Sequence, residues 1–83
     1  MKQKIRKIIS ELMELPGGID RLTDRDDLYD AGMTSFDSVQ LMLALEESFE
    51  IEFPERLLNR RVFSSVSSIA DAVGELLSEN AIA

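Results

Sequence analysis

Two hydroxyl residues, Thr34 and Ser35, follow a polar turn ending at Gly32, and an apolar run begins directly after them. These are the residues whose type and placement could do chemistry. A serine hydroxyl is a weak nucleophile unless a base takes its proton, and no base stands near Ser35 in sequence. The 83-residue chain has no histidine, the commonest general base and metal ligand. It has no cysteine, so it has no disulfide, thiolate metal site or thiol of its own. Covalent chemistry at Ser35 must therefore be activated from outside. On the residues alone, a helix cap or a first-turn serine is the plainer reading. Asp26, Asp27 and Asp30 could bind a cation weakly, but they lack the spacing of a calcium loop. No glycine-rich phosphate cradle is present. A domain of this length buries only about 60% of its unfolded surface, which leaves little room for a deep catalytic pocket.

The elements that must position Ser35 follow from periodicity. Ile5, Ile8, Ile9, Leu12 and Leu15 predict an amphipathic helix over residues 2 to about 14. Lys2, Lys4, Arg6 and Lys7 crowd its start, against the helix dipole, as a solvated face or a partner contact. Leu15-Pro16-Gly17-Gly18 stops this helix. A long loop then runs from Pro16 to about Met33. Ile19, Leu22, Leu28 and Tyr29 can pin it, so order and a short helical turn are expected. Thr34 reads as the N-cap of a second helix over 35 to about 50, with Asp37 in a near-capping-box position. Phe53-Pro54-Glu55 predicts a fresh start, with a short third helix from Arg56 to Arg61 and Leu57 and Leu58 turned inward. Ser64-Ser65 should cap a last helix from Val66 to Ser78, striped by Val66, Ile69, Ala70, Val73, Leu76 and Leu77. Gly74 weakens that helix by about 1 kcal/mol relative to alanine, and residues Glu79 to Ala83 are expected to fray. No stretch alternates with period two. The expected architecture is all-α, one domain over 1–83, with three main helices and a short third one in a small four-helix bundle.

The second helix is more hydrophobic than one buried face requires. Leu41, Met42, Leu45 and Phe49 share its core face. Ser35, Val39 and Leu43 follow at i+4 steps on a neighbouring strip, and Glu46 and Glu50 extend it. Val39 and Leu43 are either further core or a lane for a partner. Between Asp26 and Glu55 there are nine acids and no lysine or arginine, so a field of one sign surrounds Ser35.

The string Asp30-Ala31-Gly32-Met33-Thr34-Ser35-Phe36-Asp37-Ser38-Val39 closely resembles the phosphopantetheine attachment motif of acyl carrier proteins. Leu41 to Phe49 and Ile51-Glu52-Phe53-Pro54 continue the match, which covers nearly the whole chain in length, acidity and helix order. The resemblance implies an acyl-carrier-protein-like bundle with 4′-phosphopantetheine, taken from coenzyme A, joined covalently to Ser35. A phosphodiester there would sit at a helix N-terminus, where free N–H groups and the dipole favour an anion. A phosphopantetheinyl transferase would install it. The family usually has Asp before the serine and Leu after it, where this chain has Thr34 and Phe36, and Gln40 stands for a usual glutamate. Arg56, Arg60 and Arg61 occupy a region that is acidic in fatty-acid carriers. Together with Ser38 to Leu43, Phe53-Pro54 and Leu57-Leu58-Asn59-Arg60, these departures look more like a small bacterial subgroup of free-standing carriers. Those carriers receive an amino acid as a thioester from amino acid:carrier-protein ligases that resemble seryl-tRNA synthetase cores.

The leading expectation is a non-enzymatic carrier that presents a thioester-linked amino acid to partner enzymes. Its partner surface would comprise Thr34, Phe36, Asp37, Val39, Leu43, Glu46, Glu47 and Arg60. The partners would be the transferase, the ligase or another acyl-loading enzyme, and a downstream acceptor enzyme. A fatty-acyl or polyketide carrier and an unmodified acidic interaction module are the alternatives. The net charge of −7 disfavours nucleic acid and anionic lipid. No apolar run has the length of a membrane span, and the N-terminus does not read as a signal peptide. A cytoplasmic monomer without a metal is expected.

Overall fold

The computed structural model describes residues 1–15 and 17–82, with the side chains of 80–82 left aside. The expectations placed on Pro16 and on Ala83 lie outside the described residues. Three α-helices follow in order: α1 (Lys2–Leu12), α2 (Ser35–Phe49) and α3 (Val66–Ile82). Single 3-10 turns stand at Ile19–Arg21 and Glu55–Leu57. No strand occurs among the described residues. The radius of gyration is 12.1 Å, against about 12 Å for a folded domain of this length.

The helices form where the apolar stripes are, and α1 lies against both α2 and α3. Ile5 and Ile9 from α1, Leu41 and Leu45 from α2, and Val66, Ile69 and Val73 from α3 are fully buried together. Leu28, from the long loop, joins them. This is the core that the sequence periodicity places. Leu12 departs from it and is 39% exposed, because α1 ends there and Met13 turns extended at φ −146°. Met42 and Phe49, expected in the core, lie half-buried against it.

The long loop is ordered by α1. Arg6 donates to Asp24 Oδ1 at 2.7 and 3.0 Å, and to the carbonyls of Ile19 at 3.1 Å and Leu22 at 2.8 Å. One guanidinium thus satisfies the carbonyls of a 3-10 turn and holds a carboxylate beside them. Lys4 lies 4.8 Å from the Phe49 ring centre and reaches the Ser48 carbonyl at 3.3 Å. Arg6 and Lys4 at the basic start of α1 thus make contacts within the molecule, while Lys2, Lys4 and Lys7 remain exposed. At the far end of the loop, Leu28 N–H donates to Ser64 O at 2.6 Å and Met33 N–H to Leu28 O at 2.9 Å. Gly32 follows with φ 124°, a conformation that a side chain resists, and the chain turns there into α2.

The third helix expected from Arg56 to Arg61 is not formed, and the described residues make three α-helices rather than four. In its place is the Glu55–Leu57 turn, closed by i→i+3 bonds from Leu57 N–H to Pro54 O and Leu58 N–H to Glu55 O. The cause is local. The Asn59 side chain donates to Arg56 O at 3.2 Å and accepts from Val62 N–H at 3.0 Å, taking backbone groups that a helix would need. Leu58 has non-helical angles (φ −88°, ψ 73°) and is 47% exposed, whereas an inward position was expected. Arg56 ties the turn to α3 through Glu75 at 2.9 Å and Glu79 at 3.0 Å. That tie falls where α3 was expected to end, at Ser78, and the helix runs on to Ile82. Ser65 and Ser68 exchange side-chain and backbone bonds at 3.1 Å, so Ser65 begins α3 as expected.

Candidate functional site

Ser35 is the first residue of α2 and is exposed. The helix is capped by its neighbours. Thr34 Oγ1 accepts from Asp37 N–H at 3.0 Å, and Asp37 Oδ2 accepts from Thr34 N–H at 3.0 Å, a complete capping box. Ser35 is thereby relieved of the capping role that its position alone suggests. Its backbone is fixed further by Ser38, whose hydroxyl donates to Ser35 O at 2.7 Å. The Asp37 carboxylate is held by the cap on the Thr34 side. The described residues thus offer an exposed hydroxyl on a hydrogen-bonded helix start and no histidine to deprotonate it.

A cleft of about 440 Å³ opens beside that hydroxyl. One wall is α2, with Ser35, Ser38, Val39 and Met42. Tyr29, from the turn before α2, and Leu58, Asn59, Arg60 and Phe63, from the crossover to α3, complete it. Tyr29, Ser38, Met42, Asn59 and Phe63 were not among the expected site residues; Ser38 and Met42 follow Ser35 at i+3 and i+7 on α2, a spacing the sequence does carry, whereas only the fold joins Tyr29, Asn59 and Phe63 to them. The Arg60 guanidinium lies 4.0 Å from the Tyr29 ring centre, within stacking reach.

The expected surface is brought together in part. Phe36 is 71% exposed, and Val39 and Leu43 are each 50% exposed. They are not core; they leave an apolar lane on α2 open to solvent, and exposed Leu58 lies across the cleft from it. Glu47 is exposed near the end of that lane. Glu46 is half-buried and its Oε2 accepts from Phe53 N–H at 2.8 Å, so it holds the chain after α2. Asp26, Asp27 and Asp37 likewise accept backbone N–H groups in turns and the cap. Part of the acidic field is therefore structural. No cluster of three or more metal-binding side chains occurs among the described residues.

These features fit a covalent prosthetic group with an anionic root and a stem that begins apolar. An accessible hydroxyl stands at a helix N-terminus, and a cleft with one cation runs beside it. Comparisons with known proteins agree. Residues 3–73 match the family model described as the phosphopantetheine attachment site. The chain is 49% identical to an aminoacyl carrier protein of Agrobacterium fabrum (strain C58), over 93% of each chain. Its fold matches a carrier protein from Agrobacterium tumefaciens, solved in complex with an engineered Bradyrhizobium japonicum glycine:carrier protein ligase and AMP. The TM-score is 0.85 at 50% identity, covering 89% of this chain and 99% of that one. A glycylated carrier protein solved with the Bradyrhizobium japonicum glycine:carrier protein ligase matches with a TM-score of 0.70 at 25% identity. The match covers 86% of this chain and 95% of that one. An exposed serine at a capped helix start, within a matching motif and fold, has one consistent meaning: this chain belongs to the family of carrier proteins that bear covalent 4′-phosphopantetheine.

Proposed function

We propose that Ser35 bears the 4′-phosphopantetheine arm and that the protein carries an amino acid on it. The observation that carries the assignment is the division of labour at the start of α2. Thr34 and Asp37 cap the helix, and the Ser35 hydroxyl is left exposed on a fixed backbone. With no histidine in the chain, a phosphopantetheinyl transferase supplies the base. Ser35 Oγ loses its proton to that base and bonds to the phosphorus of coenzyme A that bears the pantetheine, and adenosine 3′,5′-bisphosphate leaves. The product is a phosphodiester whose charge lies where the first N–H groups of α2 point. The arm supplies the thiol that this cysteine-free chain lacks, and a thioester with the cargo forms there.

An amino acid is the cargo favoured by the likeness to the Agrobacterium carrier proteins. The partners are then the transferase, an amino acid:carrier-protein ligase and a downstream acceptor enzyme. Their docking surface is the open lane of Phe36, Val39 and Leu43, with Thr34, Asp37 and Glu47 at its border and Arg60 across the cleft. Glu46 contributes through the fold rather than as a free charge. Residues 55–63 serve as the fourth side of the bundle, as a single 3-10 turn and a crossover of further turns rather than an α-helix, within one carrier domain spanning 1–83. Among the described residues no helix is long and apolar enough to cross a membrane, and a cytoplasmic monomer fed by coenzyme A and ATP is the setting proposed. The test is competitive loading of the modified protein. Amino acids with ATP and candidate ligases are offered in one arm, and malonyl-CoA with its transacylase in the other. Aminoacylation is expected, and loading by malonyl alone would overturn the cargo assignment.

A further inference from the structure

Arg60 has an unusual setting. It lines the cleft beside Ser35, and it is the one charged side chain among the nine residues that do so. The ion pairs among the described residues use Lys2, Arg6 and Arg56, and Arg60 is in none of them. Arg56, four residues earlier, is matched by two carboxylates of α3. Arg60 is held instead by the Tyr29 ring at 4.0 Å. A cation–π contact uses none of the guanidinium's N–H donors as hydrogen bonds to a carboxylate, and the fork of those donors matches the spacing of phosphate oxygens. In sequence, the stretch from Asp26 to Glu55 that contains Ser35 has nine acids and no lysine or arginine. A phosphodiester on Ser35 adds a further negative charge to that field. The cleft contains one group that can offset it, and the apolar walls of Val39, Met42 and Phe63 suit the hydrocarbon that follows the phosphate.

We propose that Arg60, stationed on Tyr29, is the phosphodiester contact that lays the root of the arm along this cleft. The proposal rests on attachment at Ser35. Arg60 acts as a positioning residue: it fixes the direction in which the arm leaves α2, while the thiol end stays free to reach an enzyme. Tyr29 contributes by restricting the rotamers of a long side chain before the arm is present, so that less freedom is lost when the contact forms.

The test uses the full chain before and after treatment with coenzyme A and a phosphopantetheinyl transferase, with intact mass confirming the arm. Two signals are read: the Arg60 Nε–Hε resonance and the phosphorus resonance of the diester. On modification the Nε–Hε resonance should shift and its exchange with solvent should slow. In modified Arg60→Gln the phosphorus resonance should move towards that of free pantetheine phosphodiester. Tyr29→Phe should retain the wild-type phosphorus shift and Tyr29→Leu should lose it in part, with the amide spectrum confirming that each variant is folded. A confirmed arm with an unmoved Nε–Hε resonance, and an unmoved phosphorus resonance in Arg60→Gln, overturns the inference and leaves Ser35 attachment standing. The same is true if Arg60→Gln impairs loading by a ligase without moving the phosphorus resonance, since Arg60 then serves the enzyme. Absence of any mass gain in the wild type removes both assignments.

Discussion

Leu45 and Leu43 stand two residues apart on α2 with the same side chain, and the fold treats them oppositely. Leu45 is fully buried, whereas Leu43 is 50% exposed. Leu45 packs with Ile5, Ile9 and Leu41 in the core, so its transfer out of water is spent on folding. Leu43 continues the lane from Phe36 and Val39, and its apolar surface remains available to a partner. One helix thus has a face that holds the bundle together and a face held back from it. The difference separates stability from recognition within one element, and substitutions on the two faces should separate in the same way.

The largest effect should come from the buried face. Leu45→Ala is expected to cost about 2–5 kcal/mol, because a methyl-sized remnant leaves a cavity. Urea unfolding would show it as a lower midpoint. On the exposed face, Leu43→Arg should change stability by no more than about 0.5 kcal/mol. Loading by a ligase should nevertheless fall about tenfold or more, the loss of one central apolar contact. If Leu43→Arg were as destabilising as Leu45→Ala, or were loaded normally, the division between the faces would be wrong.

The division was legible in the sequence only in outline. Periodicity places Leu41 and Leu45 together, and the capping box is readable because Thr34 and Asp37 are three residues apart and bond each other. It leaves Val39 and Leu43 ambiguous, since either more core or open surface satisfies the same spacing. The cleft was not legible. Tyr29, Ser35 and Arg60 are brought together by the loop latch at Leu28 and Ser64 and by the crossover, and no local pattern encodes that meeting. The expected third helix failed for a related reason. Its apolar and charged residues suit a helix, but Asn59 takes the backbone groups and Arg56 is drawn to α3. Glu46 read as a surface charge because its partner, the Phe53 N–H, lies seven residues on, past the end of the helix.

A smaller effect tests the start of α2. Thr34→Ala should cost about 1 kcal/mol through loss of the cap, measured by thermal or urea unfolding. Modification at the neighbouring hydroxyl should survive, because Thr34 holds the helix and takes no part in the bond to be made. Loss of modification in a folded Thr34→Ala protein would show that cap and attachment are one function. The smallest effect lies in the middle of the long loop, at Asp24. The Arg6 side-chain hydrogen bond holds the Asp24 carboxyl below its usual range, and burial opposes this only partly. A carboxylate whose folded pKa is depressed adds stability that is present above its unfolded value. That stability is lost as pH falls through the folded value. Wild type should therefore lose stability in this acid window relative to its own value at neutral pH more than Asp24→Asn does, as read by unfolding at a series of pH values.

The central claim is that the exposed hydroxyl at the head of α2 bears the arm. Intact mass of wild type and Ser35→Ala after incubation with coenzyme A and a competent phosphopantetheinyl transferase tests it most directly. One phosphopantetheinyl increment on the wild type, mapped to the peptide containing Ser35, and none on a folded Ser35→Ala protein is the predicted result. A wild type left unmodified by several competent transferases, or an increment that persists in Ser35→Ala, would contradict it.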